Sequence, residues 1–492
     1  MERITSTHQR RWVSWLAIIL VLAFFLSRLI AIDLFPPFLD EMQHVHEAEL
    51  SAQSSPFAFT GEGRIFTLWW YMLYQPYRAA PVWLPRVATL LAVLPGLAAV
   101  IAIGQLAAGR WGAAFAGLAY LFSTSNFFFE RLALADPISG SAVLVALWLA
   151  YRLSRRAKFQ DAILCGVALF VAVGAKATAL PYLGIPLAAA LTLHPQGRSW
   201  RENARWGVIA LITGVGLIVL FTLGLRLRGY TPFGFIELYN SQATTPILTR
   251  TMQNIADFAA WFSSYTGILM FGLLLIALVG LMLRRQFFFA LCLFGPALVF
   301  WINERQYTRY FVALTVIFLL GGAVFLAQLI KRQHPAVKLI VLIGILIWGS
   351  LQWLPFAWDS YTAPERLWLP RRDYLEYIAS DASGFGLPEA KEALIALHPT
   401  EVIGIFSNCR ALRYLALQDF TVTCPTLNPS GQEIENLAAL LANSREAGKY
   451  VVYEPLPYVP SRDRIPGQLI ATFLRPNVDS PPTAVLLYAL AP

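Results

Sequence analysis

Charge is scarce in this chain: Asp, Glu, Lys and Arg make up 14% of its 492 residues, against about 25% in an ordinary soluble domain. So little charge cannot cover a water-soluble body of this length. The rest of the composition, 57% hydrophobic with 14% aromatic residues and a mean hydropathy of +0.56, describes a chain that passes repeatedly through a membrane. Cysteine is sparse as well, with four in total. No internal repeat or low-complexity stretch is evident. The net charge of +9 falls largely in short loops between apolar runs, where it faces anionic lipid, so nucleic acid is not implied as a partner.

Long apolar runs are what the chain has in abundance. Stretches long enough to span fall near 12–32, 86–108, 113–129, 137–153, 161–176, 178–193, 206–225, 265–283, 287–302, 310–330 and 338–355, giving about eleven transmembrane helices. The first run exceeds the 7–15 residues of a signal-peptide core, and no small-residue cleavage pattern precedes Asp33, so it reads as an anchored span. Taking alternate loops gives sixteen Lys and Arg on one side, among them Arg3, Arg10, Arg11, Arg152, Arg155, Arg156 and Lys158. The other side has eight in roughly twice the loop length, which places the N-terminus in the cytoplasm. Runs 161–176 and 178–193 are each short for a span and read as a hairpin, with one long tilted or broken element as the alternative.

Hydropathy drops after about Trp358. Residues 1–357 are expected to form the membrane domain, with an outer loop at 33–85, and 358–492 a small C-terminal domain on the extracytoplasmic side. In that tail 388–397, 409–417 and 433–447 read as helices, and 401–406, 420–424, 449–456 and 483–490 as strands, an α/β alternation. The tail carries no glycine-rich phosphate loop and no metal-spaced cysteines. Cys409 and Cys424 share this domain, either as a disulfide or as two buried thiols.

The scarce charge is concentrated where the first run ends. "PPFLDEMQHVHEAEL" (36–50) holds Asp40, Glu41, His44, His46, Glu47 and Glu49. On a helix opening after Pro37, Asp40, His44 and Glu47 share a face. A solvated acidic loop is the bland account. Against it stand further ionisable residues at the same ends of spans: Arg131 and Asp136 in "FFERLALADPISG" (128–140), Lys176, and Arg305 and Arg309 in "NERQYTRY" (303–310). Each cation has an ordinary explanation, such as snorkelling to headgroups or, for Arg131, pairing with Glu130, but ionisable groups at membrane depth point to function. Carboxylates with cations at an outer leaflet suit sugar transfer from a lipid phosphate. A carboxylate takes the acceptor's proton and faces an oxocarbenium-like centre, while Arg or Lys absorbs the leaving phosphate's charge. A divalent metal held by Asp40, Glu41 and His44 is compatible with the same set.

At this point the landmarks "FLDEMQHVHEA", "RVATLLAVLPGLAAV" (86–100), "ERLALADP" and "VGAKATALPYLGIPL" (173–187) resemble, in order, those of the GT-C polyprenyl-phosphate glycosyltransferases, the class of protein O-mannosyltransferases and lipid A aminoarabinose transferases. The tail stretch 373–394 also resembles a segment of mannosyltransferase-like bacterial members. The resemblance implies a GT-C-like helical membrane protein in the plasma (inner) membrane. It implies Asp40 as the first-loop catalytic acid, Glu41 as its companion, Asp136 as the second acidic position and Lys176 as the lysine after the fifth span. Donor-phosphate contacts would fall to Lys176, Arg131, Arg305 and Arg309. The donor would be a polyprenyl-phosphate sugar and the acceptor a protein, lipid or glycan hydroxyl. The family's Lys-Pro-Pro segment is absent from 63–73, where Arg64 stands without prolines. A lipid-linked sugar transporter is the alternative, disfavoured by the lack of paired halves and midplane charge. A scaffold acting through its outer domain would leave the Asp40 region unexplained.

Overall fold

Backbone in hydrocarbon has no water to bond, so apolar runs of this length close their hydrogen bonds internally as helices. The computed structural model of the protein describes residues 7–53, 65, 69–70, 72, 81–193, 199–229, 245–303, 306–417, 419–425, 448–455, 465, 467–476 and 483–490. Arg305 and the helix expected at 433–447 lie outside the described residues, as does most of the aromatic stretch 67–77. Helix α1 (Thr7–Leu29) is followed by α2 (Leu39–Gln53), α3 (Trp83–Leu121), α4 (Thr124–Glu130), α5 (Ala135–Arg156) and α6 (Phe159–Ala175). A 3-10 segment, Ala177–Gly184, leads into α7 (Ile185–Thr192). Next come α8 (Trp200–Arg226), α9 (Ile247–Thr266), α10 (Ile268–Leu283), α11 (Phe288–Ile302), α12 (Val312–Leu329) and α13 (Pro335–Thr362). Among the described residues six helical stretches are long and apolar enough to span a membrane, those of α1, α3, α5, α8, α12 with its leading turn, and α13. A seventh is added if α9 and α10, bent by 114° at Gly267, count as one. This is a multi-pass membrane protein. Residues Met1–Ile30, Ser54–Trp70 and Arg86–Trp358 form one compact unit, and Ala31–Gln53, Tyr71–Pro85 and Asp359–Pro492 a second.

In the membrane unit, α3 contains the runs expected at 86–108 and the start of 113–129. Gly109, at φ 73°, lies between them with non-helical backbone. A Cβ on Gly104 would stand 2.3 Å from the Gly112 carbonyl oxygen, and one on Gly112 equally close to that of Gly104. The two halves therefore fold back on each other through glycine, and Gly117 of the second half meets Leu20 of α1. Pro95 interrupts the first half, and the Ser141 hydroxyl of α5 mends the ladder there. It accepts from the Gly96 N–H at 3.0 Å and donates to the Ala92 carbonyl at 2.9 Å, the usual repair of a proline break in a membrane helix. In α5 and the α12 stretch 78% of the residues in the most apolar window are buried, against 17% in α1 and α8 and 11% in α13. The first two thus form the centre, and the others present their apolar faces outward.

Helices α6 and α7 run as a hairpin beside α8. Phe170 packs on Phe221 at 5.7 Å, far along α8. Pro186 and Ala190 crowd Gly207, and Asn203 donates to the Leu193 carbonyl, both near the start of α8. One end of this unit thereby collects Arg152 bound to Asp161, Tyr151 against Phe288 and Gln328 bonded to Gln286. The other collects the start of α5, the end of α6 and the turn before α12.

The second unit is built on a five-stranded sheet, β1 (Glu401–Ile405), β2 (Val422–Thr423), β3 (Lys449–Tyr453), β4 (Gln468–Leu474) and β5 (Ala484–Ala489), in the order β2-β1-β3-β5-β4. β1 is parallel to β2 and β3, whereas β5 is antiparallel to β3 and β4. Ile403, Ile405, Val451, Tyr453, Leu486 and Tyr488 make its core. Helix α14 (Leu387–Leu397) starts with Pro388 in its first turn, and α15 (Cys409–Leu415) follows β1. Cys409 and Cys424 are joined by a disulfide.

Candidate active site

Asp136 lies in the first turn of α5, a position where a carboxylate is favoured by the helix dipole, and the side chain is 2% exposed. Lys176 interrupts the helix between α6 and the 3-10 segment with extended backbone. Its Nζ donates to Asp136 Oδ2 at 2.6 Å and lies 4.8 Å from the centre of the Tyr310 ring. Arg309, in the turn preceding α12, brings Nε to 3.9 Å from the same carboxylate oxygen, and its guanidinium stacks 4.5 Å over Tyr307. Close packing sets these positions. Ser139 donates to the Ala172 carbonyl, which ties α5 to the end of α6, and Gly140 lets Val312 approach. A small cavity is lined by Asp136, Ser139, Tyr182, Arg309 and Tyr310. Asp136 Oδ1 and the Tyr182 hydroxyl are buried without a hydrogen-bond partner among the described residues. One carboxylate holding two cations carries a formal charge of plus one, an arrangement that accepts an anionic oxygen.

Arg131, also expected at the phosphate, stands elsewhere. Its Nη1 donates to the carbonyls of Arg28 and Ile30 at 3.2 and 2.7 Å, closing the C-terminal end of α1, and the guanidinium stacks on Phe127. Glu130 pairs with Arg28, at 3.1 Å, both fully buried. Arg28 also donates to the Leu121 carbonyl at the end of α3. These two arginines satisfy helix C-termini that have no water to turn to.

The remaining candidates lie on α2, in the second unit. Asp40 is half-buried in the first turn. Glu41, three residues into the helix, turns back to accept from the Phe38 N–H at 3.0 Å, the reciprocal half of a capping box. His44 is 3.6 Å from Glu47, and His46 3.7 Å from Glu49. Much of the acidic cluster then meets α15. Arg410 donates to Gln43, Gln43 to Glu47 at 2.8 Å, and the Tyr414 hydroxyl to Glu49 at 2.6 Å. Burial pushes the Glu49 carboxyl up, but His46, Tyr414 and Arg413 outweigh it and hold the group below its ordinary value. The sequence shows this pairing only as basic and aromatic residues at 410, 413 and 414, one face of a short helix.

As a metal site, Asp40, Glu41 and His44 do not come together: Glu41 is held by its own helix start and His44 by Glu47. Among the described residues no group of three or more His, Cys, Asp or Glu side chains is placed to bind a metal ion.

No protein-family model matches the sequence, and no curated protein matches it. Solved structures do resemble it. ArnT from Cupriavidus metallidurans bound to undecaprenyl phosphate superposes with a TM-score of 0.57 at 16% identity, over 96% of this chain and 98% of that one. The archaeal oligosaccharyltransferase AglB from Archaeoglobus fulgidus, in complex with an inhibitory peptide and a dolichol-phosphate, gives 0.53 at 11% identity, over 91% and 70%. A complex of the Archaeoglobus fulgidus oligosaccharyltransferase with zinc and sulfate gives 0.50 at 12% identity, over 89% and 68%. At such identities it is the fold that is shared: a GT-C-like, polytopic helical membrane protein with a small C-terminal α/β domain, as the sequence led us to expect.

Proposed function

We propose that this protein is an integral-membrane glycosyltransferase that moves a sugar from a polyprenyl-monophosphate donor to an acceptor hydroxyl at the outer face of the plasma membrane. The observation that carries the reading is the buried Asp136 carboxylate holding Lys176 and Arg309 at one end of the membrane unit. A pure transport path would instead place charge near the midplane. The fold neighbours support the substrate class, since their structures hold undecaprenyl phosphate and dolichol-phosphate.

In this reading Lys176 and Arg309 take the donor phosphate, and Asp136 sets the spacing of the two cations. Asp40 is the general base. It removes the proton of the acceptor hydroxyl, the hydroxyl oxygen bonds to the anomeric carbon, and the bond from that carbon to the phosphate oxygen breaks. Polyprenyl phosphate leaves as an anion that needs charge compensation rather than a proton. Glu41 acts on Asp40 through the helix start it caps, and Arg131 fixes the end of α1; neither touches substrate. A divalent ion would add charge at the phosphate, but the residues first expected to hold one do not form a ligand set, and no step here passes through it.

The test is turnover of a panel of radiolabelled polyprenyl-phosphate sugars by purified protein in lipid nanodiscs. Wild type is compared with Asp40→Asn and with Glu392→Gln, a control at an exposed position of the tail. Loss of transfer in Asp40→Asn alone, with unchanged melting, supports the assignment. Full activity in Asp40→Asn rejects Asp40 as the base.

A further inference from the structure

Asp40 stands one residue beyond a segment gripped from several directions by the C-terminal domain. Within the second unit, the Phe35 ring packs edge-on against Phe385 and the Phe38 ring against Tyr377. The Leu39 N–H donates to the Ala382 carbonyl at 2.9 Å. Gly384 is pressed on the Pro36-Pro37 turn so closely that a Cβ there would stand 2.5 Å from the Pro37 oxygen. Asn408 joins these contacts: fully buried, its Nδ2 donates both to the Pro37 carbonyl at 2.9 Å and to the Ala382 carbonyl at 3.2 Å.

One amide therefore ties the entry of α2 to the loop that receives the Leu39 N–H. Asn408 is itself fixed. It directly precedes α15, where its backbone carbonyl accepts from the Ala411 N–H at 2.9 Å; the first residue of that helix, Cys409, is bonded to Cys424, and the helix meets α2 again through Arg410 and Tyr414.

We propose that Asn408 is a positioning residue for the transfer reaction, holding the first turn of α2 and with it the Asp40 carboxylate. The inference rests on Asp40 being the general base. Asparagine suits the role because one uncharged amide offers two donors to two buried carbonyls. Aspartate in its place would set a carboxylate against both. Misplacing a base by about 1 Å costs up to roughly a hundredfold in rate while leaving contacts to the donor intact.

The experiment compares wild type, Asn408→Ala and Gly384→Ala, full-length in nanodiscs, by transfer kinetics and by amide exchange at Leu39. Gly384→Ala presses a methyl group on the same Pro37 carbonyl oxygen and displaces the turn while the Asn408 side chain itself is kept. We expect both variants to lower kcat by roughly tenfold to a hundredfold, to leave KM for the donor within about twofold, and to speed exchange at Leu39 while the β3 and β5 amides stay protected. A wild-type kcat in both variants overturns the proposal. So does a uniform loss of kcat, donor affinity and melting temperature, which would mean a merely structural bond. If wild type itself turns over no donor, the transferase reading fails. The clamp is then judged by exchange alone, and unaccelerated exchange at Leu39 refutes it too.

Discussion

Replacing Lys176 with methionine removes the ammonium 2.6 Å from Asp136 Oδ2 and leaves that carboxylate, whose side chain is 2% exposed, with Arg309 Nε at 3.9 Å. Breaking a buried ion pair by deleting one partner costs about 3–5 kcal/mol, mostly because the surviving charge is stranded. The Lys176 side chain is 20% exposed, and Arg309 compensates in part, so the expected loss lies toward the lower figure, about 3 kcal/mol. Asp136→Asn in the Lys176→Met background removes the stranded charge, so the double variant recovers part of the loss. A double-mutant cycle on denaturation in nanodiscs then yields a coupling of about 2 kcal/mol or more. A coupling under about 0.5 kcal/mol would mark an ordinary solvated pair and refute the view that a buried carboxylate organises these cations. Donor KM should rise in Lys176→Met and stay raised in the double variant, since the phosphate loses the same cation in both.

Three further outcomes are expected. Reducing the Cys409–Cys424 bond, which closes a separation of 15 residues, should destabilise the sheet unit by about 3 kcal/mol; an unchanged melting temperature in reductant would contradict this. Glu49 is held below its ordinary value near 4.5, so the unfolded chain takes up this proton first as pH falls. Its stabilisation is complete above that value and is lost as pH drops through the folded one, and Glu49→Gln should flatten the melting curve against pH in that acid window. Ser141→Ala leaves the Gly96 N–H and Ala92 carbonyl unbridged beside Pro95 and should cost about 1–3 kcal/mol, measured by denaturation in nanodiscs.

The membrane part of the fold was legible because apolar length is a direct physical requirement of a span. The two halves of α3, the α6–α7 hairpin and the helix start at Asp136-Pro137 all follow from runs and breakers. The strands β1, β2, β3 and β5 and the helices α14 and α15 were legible from apolar runs between turn residues. β4 was not: Ile470 and Leu474 occupy its exposed positions, which erases the two-residue alternation that marks a half-buried strand. The convergence of Lys176 and Arg309 on Asp136 could be anticipated only as three charges at ends of spans. The dispersal of Arg28 and Arg131 to helix C-termini could not, because carbonyls awaiting a donor leave no trace in composition. Nor could the packing of α2 against α15, since complementarity between Gln43, Glu49, Arg410 and Tyr414 spans some 365 residues of chain.

The central claim is that a bond between sugar and phosphate is broken, not that an intact lipid-linked sugar is moved. The most direct measurement is the appearance of free polyprenyl monophosphate when purified protein in nanodiscs is given a polyprenyl-phosphate sugar and an acceptor extract. The account predicts that it forms in step with transferred sugar, one for one, and that Asp40→Asn abolishes both. Donor that stays intact across the panel, while the same protein in sealed vesicles carries it from one leaflet to the other, would contradict the account and make the protein a transporter.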